Sequence, residues 1–142
     1  MPWRAVLDTS VVIKWFRQGE VLADQALRLR ASYLSGELEI VLPSLVAYEF
    51  TNVLRYKADL TVEQVQSAVG SLLGMKLGWM LPSAEVLQRA AHMARTYDIT
   101  VYDGAFAALA EFVSATYVTA DKRLAMKLTE LPYVRYLKDE AR

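Results

Sequence analysis

The chain has 142 residues, in which 16 Lys and Arg residues balance 16 Asp and Glu residues, with one His and no Cys. This length predicts one domain over residues 1–142 that needs no disulfide or metal merely to fold. The lack of Cys excludes thiol catalysis, iron–sulfur clusters and Cys-ligated zinc, and the single His92 excludes a multi-histidine metal site. A net charge of zero argues against a histone-like nucleic-acid binder, but a local basic patch stays open.

The apolar share of the chain is high, at 54%. A generous core alone could explain it, but a small interior favours a core plus an apolar interface, in a homodimer. No apolar run reaches the ~18–20 residues that a membrane span needs. The first residues enter a strand pattern without a signal-peptide segment, so we expect a cytoplasmic protein with no membrane contact.

Strand and helix patterns alternate along the chain. In chain order they predict a strand at 3–7, a helix at 21–34, a strand at 39–42, helices at 44–57 and from 61, an extended piece at 79–81, a helix from 83, a helix at 103–113, a strand at 116–119, a helix at 122–128 and a strand at 133–137. This alternation predicts an α/β fold with a central parallel sheet between helices, in three α/β/α layers. In such a sheet, ligands bind beyond the carboxyl ends of the strands.

Three of the predicted helices start with residues that can cap them. Ser44 and Ser83 can each accept a hydrogen bond from the first turn of the helix that follows. Thr61 and Gln64 have the spacing of a capping box, in which each side chain accepts a hydrogen bond from the backbone of the other residue.

Four acidic residues stand where a solvated charge is not expected. Asp8 and Asp121 lie at the carboxyl ends of predicted strands, Glu49 lies within an apolar helix, and Asp103 follows an apolar segment. Taken singly, each acid has a structural alternative. The three Asp residues stand at possible helix N-caps, and Glu49 could be a partly exposed helix residue.

If these acids converge, they need a partner. Two carboxylates ~4 Å apart repel by about 4 kcal/mol at an effective dielectric constant near 20. They must then share protons or bind a cation. With no Cys and one His in the chain, that cation would be hard and oxygen-seeking, which means Mg²⁺ or Mn²⁺.

Around these acids stand four stretches, LDTSVV at 7–12, YEFTNVL at 48–54, YDGAFAALA at 102–110 and VTADKRL at 118–124. Their order and spacing resemble the PIN-domain family and, within it, the VapC-type ribonuclease toxins of toxin–antitoxin pairs. One departure is Gly104, where many relatives carry Ala. The resemblance covers nearly the whole chain.

The resemblance implies a metal-dependent endoribonuclease that hydrolyses RNA phosphodiesters and is inhibited by a cognate antitoxin. By it, the metal-binding and catalytic quartet is Asp8, Glu49, Asp103 and Asp121, with supporting roles for Ser10, Asn52 and Thr119. The preference for RNA over DNA depends on the resemblance alone.

Positive charges follow three of the four acids and are candidate contacts to RNA phosphates. They are Lys14, Arg17, Arg55, Lys122 and Arg123, with Lys57 and Lys127 nearby. Each could equally be an ordinary charge on a helix face. His92 lies on the polar side of its helix, which favours a solvated rather than a catalytic histidine.

The predicted helix from 61 carries an apolar face that either packs inside or meets a second subunit or an antitoxin. Its residues are Val65, Val69, Leu72 and Leu73.

Two other functions remain open. One is a non-catalytic scaffold of the same fold, against which the intact quartet argues. The other is a doubly wound phosphoryl-transfer protein, such as a receiver domain or an Asp-nucleophile phosphatase. The phosphatase pattern requires a second acid two residues after the first, where Ser10 stands, and a receiver requires adjacent acids that this chain lacks.

Overall fold

The structure is a computed structural model that describes residues 2–17 and 19–140. Residues 1, 18, 141 and 142 of the predicted domain lie outside the described residues. The strands are β1 (Trp3–Leu7), β2 (Leu38–Pro43), β3 (Gly78–Met80), β4 (Thr116–Thr119) and β5 (Val134–Tyr136). The helices are α1 (Thr9–Val12), α2 (Ala23–Leu34), α3 (Leu45–Arg55), α4 (Val62–Gly74), α5 (Ala84–Tyr97), α6 (Val101–Phe112) and α7 (Lys122–Lys127), with 3₁₀ turns at Ile13–Trp15 and Leu137–Glu140.

The five strands form one parallel sheet in the order β3-β2-β1-β4-β5, flanked by helices. This confirms the predicted α/β class. Strand β1 lies at the centre, where Ala5, Val6 and Leu7 are fully buried. Leu7 pairs with Val118 of β4, so the residues that follow β1 and β4 meet at one edge of the sheet.

Most predicted elements are present with ends shifted by a few residues, and β4 has the predicted bounds. The Thr61–Gln64 capping box and the Ser83 cap are confirmed, because both make the expected hydrogen bonds. The Ser44 cap is wrong, since this residue has helical dihedral angles and its side chain makes no capping bond. The short helix α1 had no counterpart among the predicted elements.

The predicted start of the helix at Asp103 is also wrong. Helix α6 begins at Val101, because the side chain of Thr100 accepts a hydrogen bond from the N–H of Asp103 at 3.0 Å and caps it. Asp103 therefore lies in the first turn of α6 rather than at its N-cap. The capping alternative is confirmed for Asp8 and Asp121, which cap α1 and α7.

The apolar face of α4 is directed mainly inward. Leu72 is buried, Val65 and Val69 are half-buried against the core, and Leu73 is exposed. In the described part of the chain, no helix combines the length and hydropathy that a bilayer crossing requires.

Helix α6 is buried along seven successive residues, 104–110, most of them alanines. Its neighbour α5 comes so close that a Cβ atom added to Gly104 would lie 2.8 Å from the carbonyl oxygen of Ala90. Two backbones in contact cannot give way as a flexible side chain can. Gly104 therefore stands where only a residue without a side chain fits, which explains the departure from the family pattern at this position.

We expect Gly104→Ala to lower the free energy of unfolding, since overpacking costs about 1–3 kcal/mol and outweighs a gain in helix propensity of about 1 kcal/mol. Gly70→Ala is the matched control in α4, because a Cβ atom there meets nothing within 4 Å. That variant should be stabilised. Urea unfolding of both proteins checks this, and equal stabilities for the two variants would contradict the close packing of α5 and α6.

Candidate active site

Residues that follow β1 and β4 are tied together by two hydrogen bonds. The N–H of Asp8 donates to the carbonyl oxygen of Val118 at 2.9 Å. The N–H of Ala120 donates to the Oγ of Ser10 at 3.0 Å. The second bond uses a side chain to extend the pairing beyond the last strand residues, so the two loops that carry Asp8 and Asp121 are held side by side.

Asp8 is the most enclosed of the four acids, with 8% of its surface exposed. Its Oδ1 accepts a hydrogen bond from the hydroxyl of Tyr117 at 2.6 Å, and its Oδ2 accepts one from the N–H of Ser10 at 3.0 Å. Burial raises the pKa of this carboxyl, the bonds from Ser10 and Tyr117 offset part of that rise, and the charge of Asp121 adds to it.

Glu49 reaches the same edge from α3, where it is half-buried. Its Oε1 accepts a hydrogen bond from the hydroxyl of Thr9 at 2.7 Å. Partial burial raises the pKa of Glu49, the bond from Thr9 lowers it, and the negative charges of Asp8 and Asp103 raise it further.

Asp103 is half-buried in the first turn of α6. Burial raises the pKa of its carboxyl, and the nearby charges of Asp8 and Asp121 raise it further. The hydrogen bond with Thr100 and the positive charge of Lys127 act in the opposite direction.

Asp121 is exposed after β4. Its Oδ1 accepts a hydrogen bond from the N–H of Leu124 at 3.1 Å, and its own N–H donates to the Oγ1 of Thr119 at 3.0 Å. Thr119 is fully buried, so this bond anchors the acid to the end of the strand.

The four acids converge in electrostatic terms. The charge of Asp121 raises the pKa of Asp8, and the charges of Asp8 and Asp103 raise the pKa of Glu49. The charges of Asp8 and Asp121 raise the pKa of Asp103. Among the described residues, however, no three His, Asp or Glu side chains are arranged to hold a metal ion as they stand. Repulsion between charges acts over longer distances than metal coordination, so these acids influence one another without forming a ready-made chelate.

The donor set agrees with one kind of cation. It consists of the oxygens of four carboxylates, with hydroxyl groups close by. Three of these carboxyl groups have a raised pKa. Repelling carboxylates gain from a cation between them, and an all-oxygen set suits Mg²⁺ or Mn²⁺.

The predicted supporting residues differ in what they contact. Ser10 and Thr119 make the backbone bonds given above, whereas Asn52 is exposed on α3, one turn beyond Glu49. Two residues with direct contacts to the acids were missed, Thr9 and Tyr117. Tyr117 could have been found, because side chains two apart on a strand share a face and Thr119 was already recognised.

Positive charges lie on both sides of the acids. A concave pocket of about 320 Å³ is lined by Glu49 together with Lys14 and Lys57. A second, of about 340 Å³, is lined by Asp103 and Asp121 together with Arg123 and Lys127. Each pocket thus combines acids and bases. A larger depression of about 910 Å³ lies at the opposite edge of the sheet and contains none of these four acids.

The five candidate RNA contacts differ in whether their side chains already interact with other residues of the protein. Lys14 and Arg17 both pair with Glu20, and Arg17 also pairs with Asp59 at 2.7 Å. The guanidinium of Arg55 lies 4.3 Å from the ring centre of Tyr56. Lys122 and Arg123 are exposed on α7, and His92 is exposed on α5, as predicted.

An apolar groove of about 360 Å³ runs beside the acids, between α3, α5 and α6 and the ends of β2 and β3. Its lining includes Tyr48 and Tyr102, which directly precede Glu49 and Asp103. Leu81 at its rim is 82% exposed, and Phe112 is 52% exposed. Exposed apolar side chains therefore line this groove, in addition to Val62 and Leu73 on α4.

Comparison with protein families gives one match: a family model described as the PIN domain, over residues 5–127. No curated protein matches the chain.

Among solved structures, a toxin–antitoxin complex from Klebsiella pneumoniae matches with a TM-score of 0.70 and 17% identity, over 94% of this chain and 97% of that one. VapBC2 from Rickettsia felis, bound to a promoter DNA fragment, has a TM-score of 0.69 and 18% identity, over 94% and 98%. VapC20 from Mycobacterium tuberculosis, described as a toxin that cleaves the sarcin–ricin loop, has a TM-score of 0.68 and 16% identity, over 86% and 93%. At these identities the likeness concerns the fold.

The raised pKa of Asp103 predicts a stability that depends on pH. The pKa of Asp103 is higher in the folded chain than in the unfolded chain, where it is near 3.8. Its ionisation therefore lowers the free energy of unfolding once the pH rises above that unfolded value. We expect Asp103→Asn, in EDTA, to melt at a higher temperature than the parent chain at pH 7.5 and at the same temperature below about pH 3.5.

Asp24→Asn on the exposed first turn of α2 is the matched control and should give no such gain. Thermal unfolding followed by circular dichroism makes the comparison. An equal or lower melting temperature for Asp103→Asn at pH 7.5 would show that the acids do not repel.

Proposed function

This chain belongs to the PIN-domain family, and we propose that it is a divalent-metal-dependent endoribonuclease that acts as the toxin of a toxin–antitoxin pair. The observation that carries the proposal is the convergence of Asp8, Glu49, Asp103 and Asp121 at the carboxyl edge of the sheet, where neighbouring acidic charges raise the pKa of Asp8, Glu49 and Asp103. Folding brings four repelling carboxylates together only at a cost, so the arrangement points to a cation and not to stability.

In the proposed reaction, these four acids hold Mg²⁺ or Mn²⁺. When bound, such an ion supplies a more acidic water and stabilises charge on the departing oxygen of the phosphodiester. Asp8 is the fixed member of the quartet, because both of its oxygens accept hydrogen bonds from the protein. An acid of the quartet that is not fully engaged by the ion would accept the proton of the attacking water.

The basic residues support an RNA substrate. A polyanion approaching four acids needs positive charge beside them, and Lys14 and Lys57 on one side and Arg123 and Lys127 on the other supply it. Lys122 and Arg55 add exposed charge nearby. Acidic side chains partly offset three of the bases, since Glu20 pairs with both Lys14 and Arg17, and Asp98 pairs with Lys127. The choice of RNA comes from family membership, and cellular RNA as substrate places the protein in the cytoplasm.

A cognate antitoxin is the second proposed partner. The similar structure from Klebsiella pneumoniae is described as a toxin–antitoxin complex, and its fold is shared over most of this chain. A scaffold role would leave the quartet without a purpose. An Asp-nucleophile phosphatase would need an acid at position 10, where the hydroxyl of Ser10 instead accepts a hydrogen bond from the N–H of Ala120, and a receiver domain would need adjacent acids that this chain lacks.

The third proposed partner is a second copy of the chain. The apolar groove beside the acids carries exposed Leu81, Tyr48 and Tyr102, which a water-exposed surface does not favour. A homodimer through this groove would cover them and would explain the high apolar share of the sequence.

The nuclease proposal is tested by incubating purified protein with structured RNAs in Mn²⁺ or in EDTA. We expect cleavage in Mn²⁺ only, and a loss of more than about 100-fold in Asp8→Asn and Asp121→Asn, since even residues behind a metal ligand contribute 10–100-fold. The matched control is Asp24→Asn, which replaces an exposed acid on α2 and should leave cleavage unchanged. Full activity of a folded Asp8→Asn variant would overturn the proposal, and an inactive parent chain that fails to bind Mn²⁺ would favour the scaffold.

The dimer proposal predicts that the isolated chain has about twice the mass of one 16.0 kDa protomer. A charge placed in an apolar interface is costly, so Leu81→Glu should give monomers. The matched control is Leu34→Glu on α2, also exposed but outside the groove, which should stay dimeric. Light scattering coupled to size-exclusion chromatography measures the mass, and a monomeric parent chain would contradict the proposal.

A further inference from the structure

We propose that Tyr117 is a positioning residue of this site, whose hydroxyl holds the carboxylate of Asp8 in a single orientation for the incoming cation. The inference rests on the function proposed above. It adds a residue on β4 that belongs to none of the four acidic stretches and has no assigned role in the reaction.

The contact between the two side chains is short and buried. The hydroxyl of Tyr117 donates to Oδ1 of Asp8 at 2.6 Å, while the N–H of Ser10 donates to Oδ2 at 3.0 Å. With one donor on each oxygen, the carboxylate can neither rotate nor swing away without breaking a bond. A carboxylate has about four lone-pair positions, so each oxygen keeps one for a cation.

Tyr117 is itself fixed in place. The residue is fully buried, and its ring stacks on that of Phe106 with the centres 5.6 Å apart and the planes 8° apart. Its N–H donates to the carbonyl oxygen of Tyr133 at 2.9 Å. Because the hydroxyl is already held in place, it restrains the carboxylate of Asp8 without a further loss of conformational entropy when the cation binds.

A merely structural reading of Tyr117 makes a different prediction. A buried tyrosine hydroxyl needs some acceptor, and losing it would then change stability alone. Here the acceptor is an acid of the proposed metal site, so its loss should change the affinity for the cation. Affinity and stability can be measured separately on the same protein.

The matched control is Tyr133→Phe. The hydroxyl of Tyr133 also donates to a carboxylate, that of Glu111, which Arg89 pairs with outside the site. Both substitutions remove one hydroxyl and keep the ring. They differ in whether the carboxylate left behind belongs to the proposed metal site.

The experiment titrates Mn²⁺ into metal-free protein and follows free Mn²⁺ by electron paramagnetic resonance, with thermal unfolding in EDTA recorded in parallel. We expect Tyr117→Phe to bind Mn²⁺ about 10–100-fold more weakly, the usual effect of losing a partner behind a metal ligand. Tyr133→Phe should bind as the parent chain does. If Tyr117→Phe does not fold, Phe106→Leu keeps the hydroxyl but removes the ring stacked on it, and should weaken binding several-fold.

Unchanged Mn²⁺ affinity in a folded Tyr117→Phe variant, or in Phe106→Leu if that variant is used instead, would overturn the inference while leaving the proposed function in place. Equal losses in the Tyr117 and Tyr133 variants would also overturn it, because they would indicate general loosening. A folded parent chain that binds no Mn²⁺ would overturn the proposed function and this inference together.

Discussion

The parallel pairing of β1 with β4 is the constraint on which the proposed site depends. These strands are neighbours in the sheet although more than a hundred residues separate them in the chain. Their pairing brings the end of β1, with Asp8, against the end of β4, with Asp121, and the bond from Ala120 to Ser10 holds the two loops in register. Helices α3 and α6 then add Glu49 and Asp103 from the flanks. The proposed site therefore requires both the correct pairing of the strands and the packing of α3 and α6 against the sheet.

The same arrangement at this edge of the sheet lowers the stability of the fold. Burial and mutual repulsion raise the pKa of three acids, so the folded chain pays to keep them ionised near neutral pH. Local donors reduce that cost: Ser10 and Tyr117 for Asp8, and Thr9 for Glu49. The overall charge balance hides this contrast, since removing four acids from sixteen leaves twelve against sixteen bases elsewhere. The neutral total therefore combines a negative edge with a mildly positive remainder.

The sequence was informative where structure is local. Strand β4 and the Thr61–Gln64 box were predicted correctly, because alternation and capping depend on near neighbours. The fold class and the order of elements followed from the same patterns. What could not be predicted depends on distant contacts. Gly104 is explained only by the approach of Ala90 from α5. Tyr117 is a candidate because it shares a face of its strand with Thr119, but its hydrogen bond to Asp8 requires knowing that β4 lies beside β1. The pattern on α4 left open whether its apolar face packs inside or meets a partner, because periodicity shows that a helix has an apolar face but not what covers it. The groove between α3, α5 and α6 was not predicted, since distant parts of the chain form it.

The most direct test of the central claim is a crystal structure of the protein soaked in Mn²⁺, with data collected for anomalous scattering. We expect an anomalous peak within coordination distance, about 2.0–2.6 Å, of the carboxylate of Asp8 and at least one of the other three acids. We also expect this peak to disappear in crystals of a folded Asp8→Asn variant. Crystals with no peak among these four carboxylates at saturating Mn²⁺, or with a peak that persists without the Asp8 carboxylate, would contradict it.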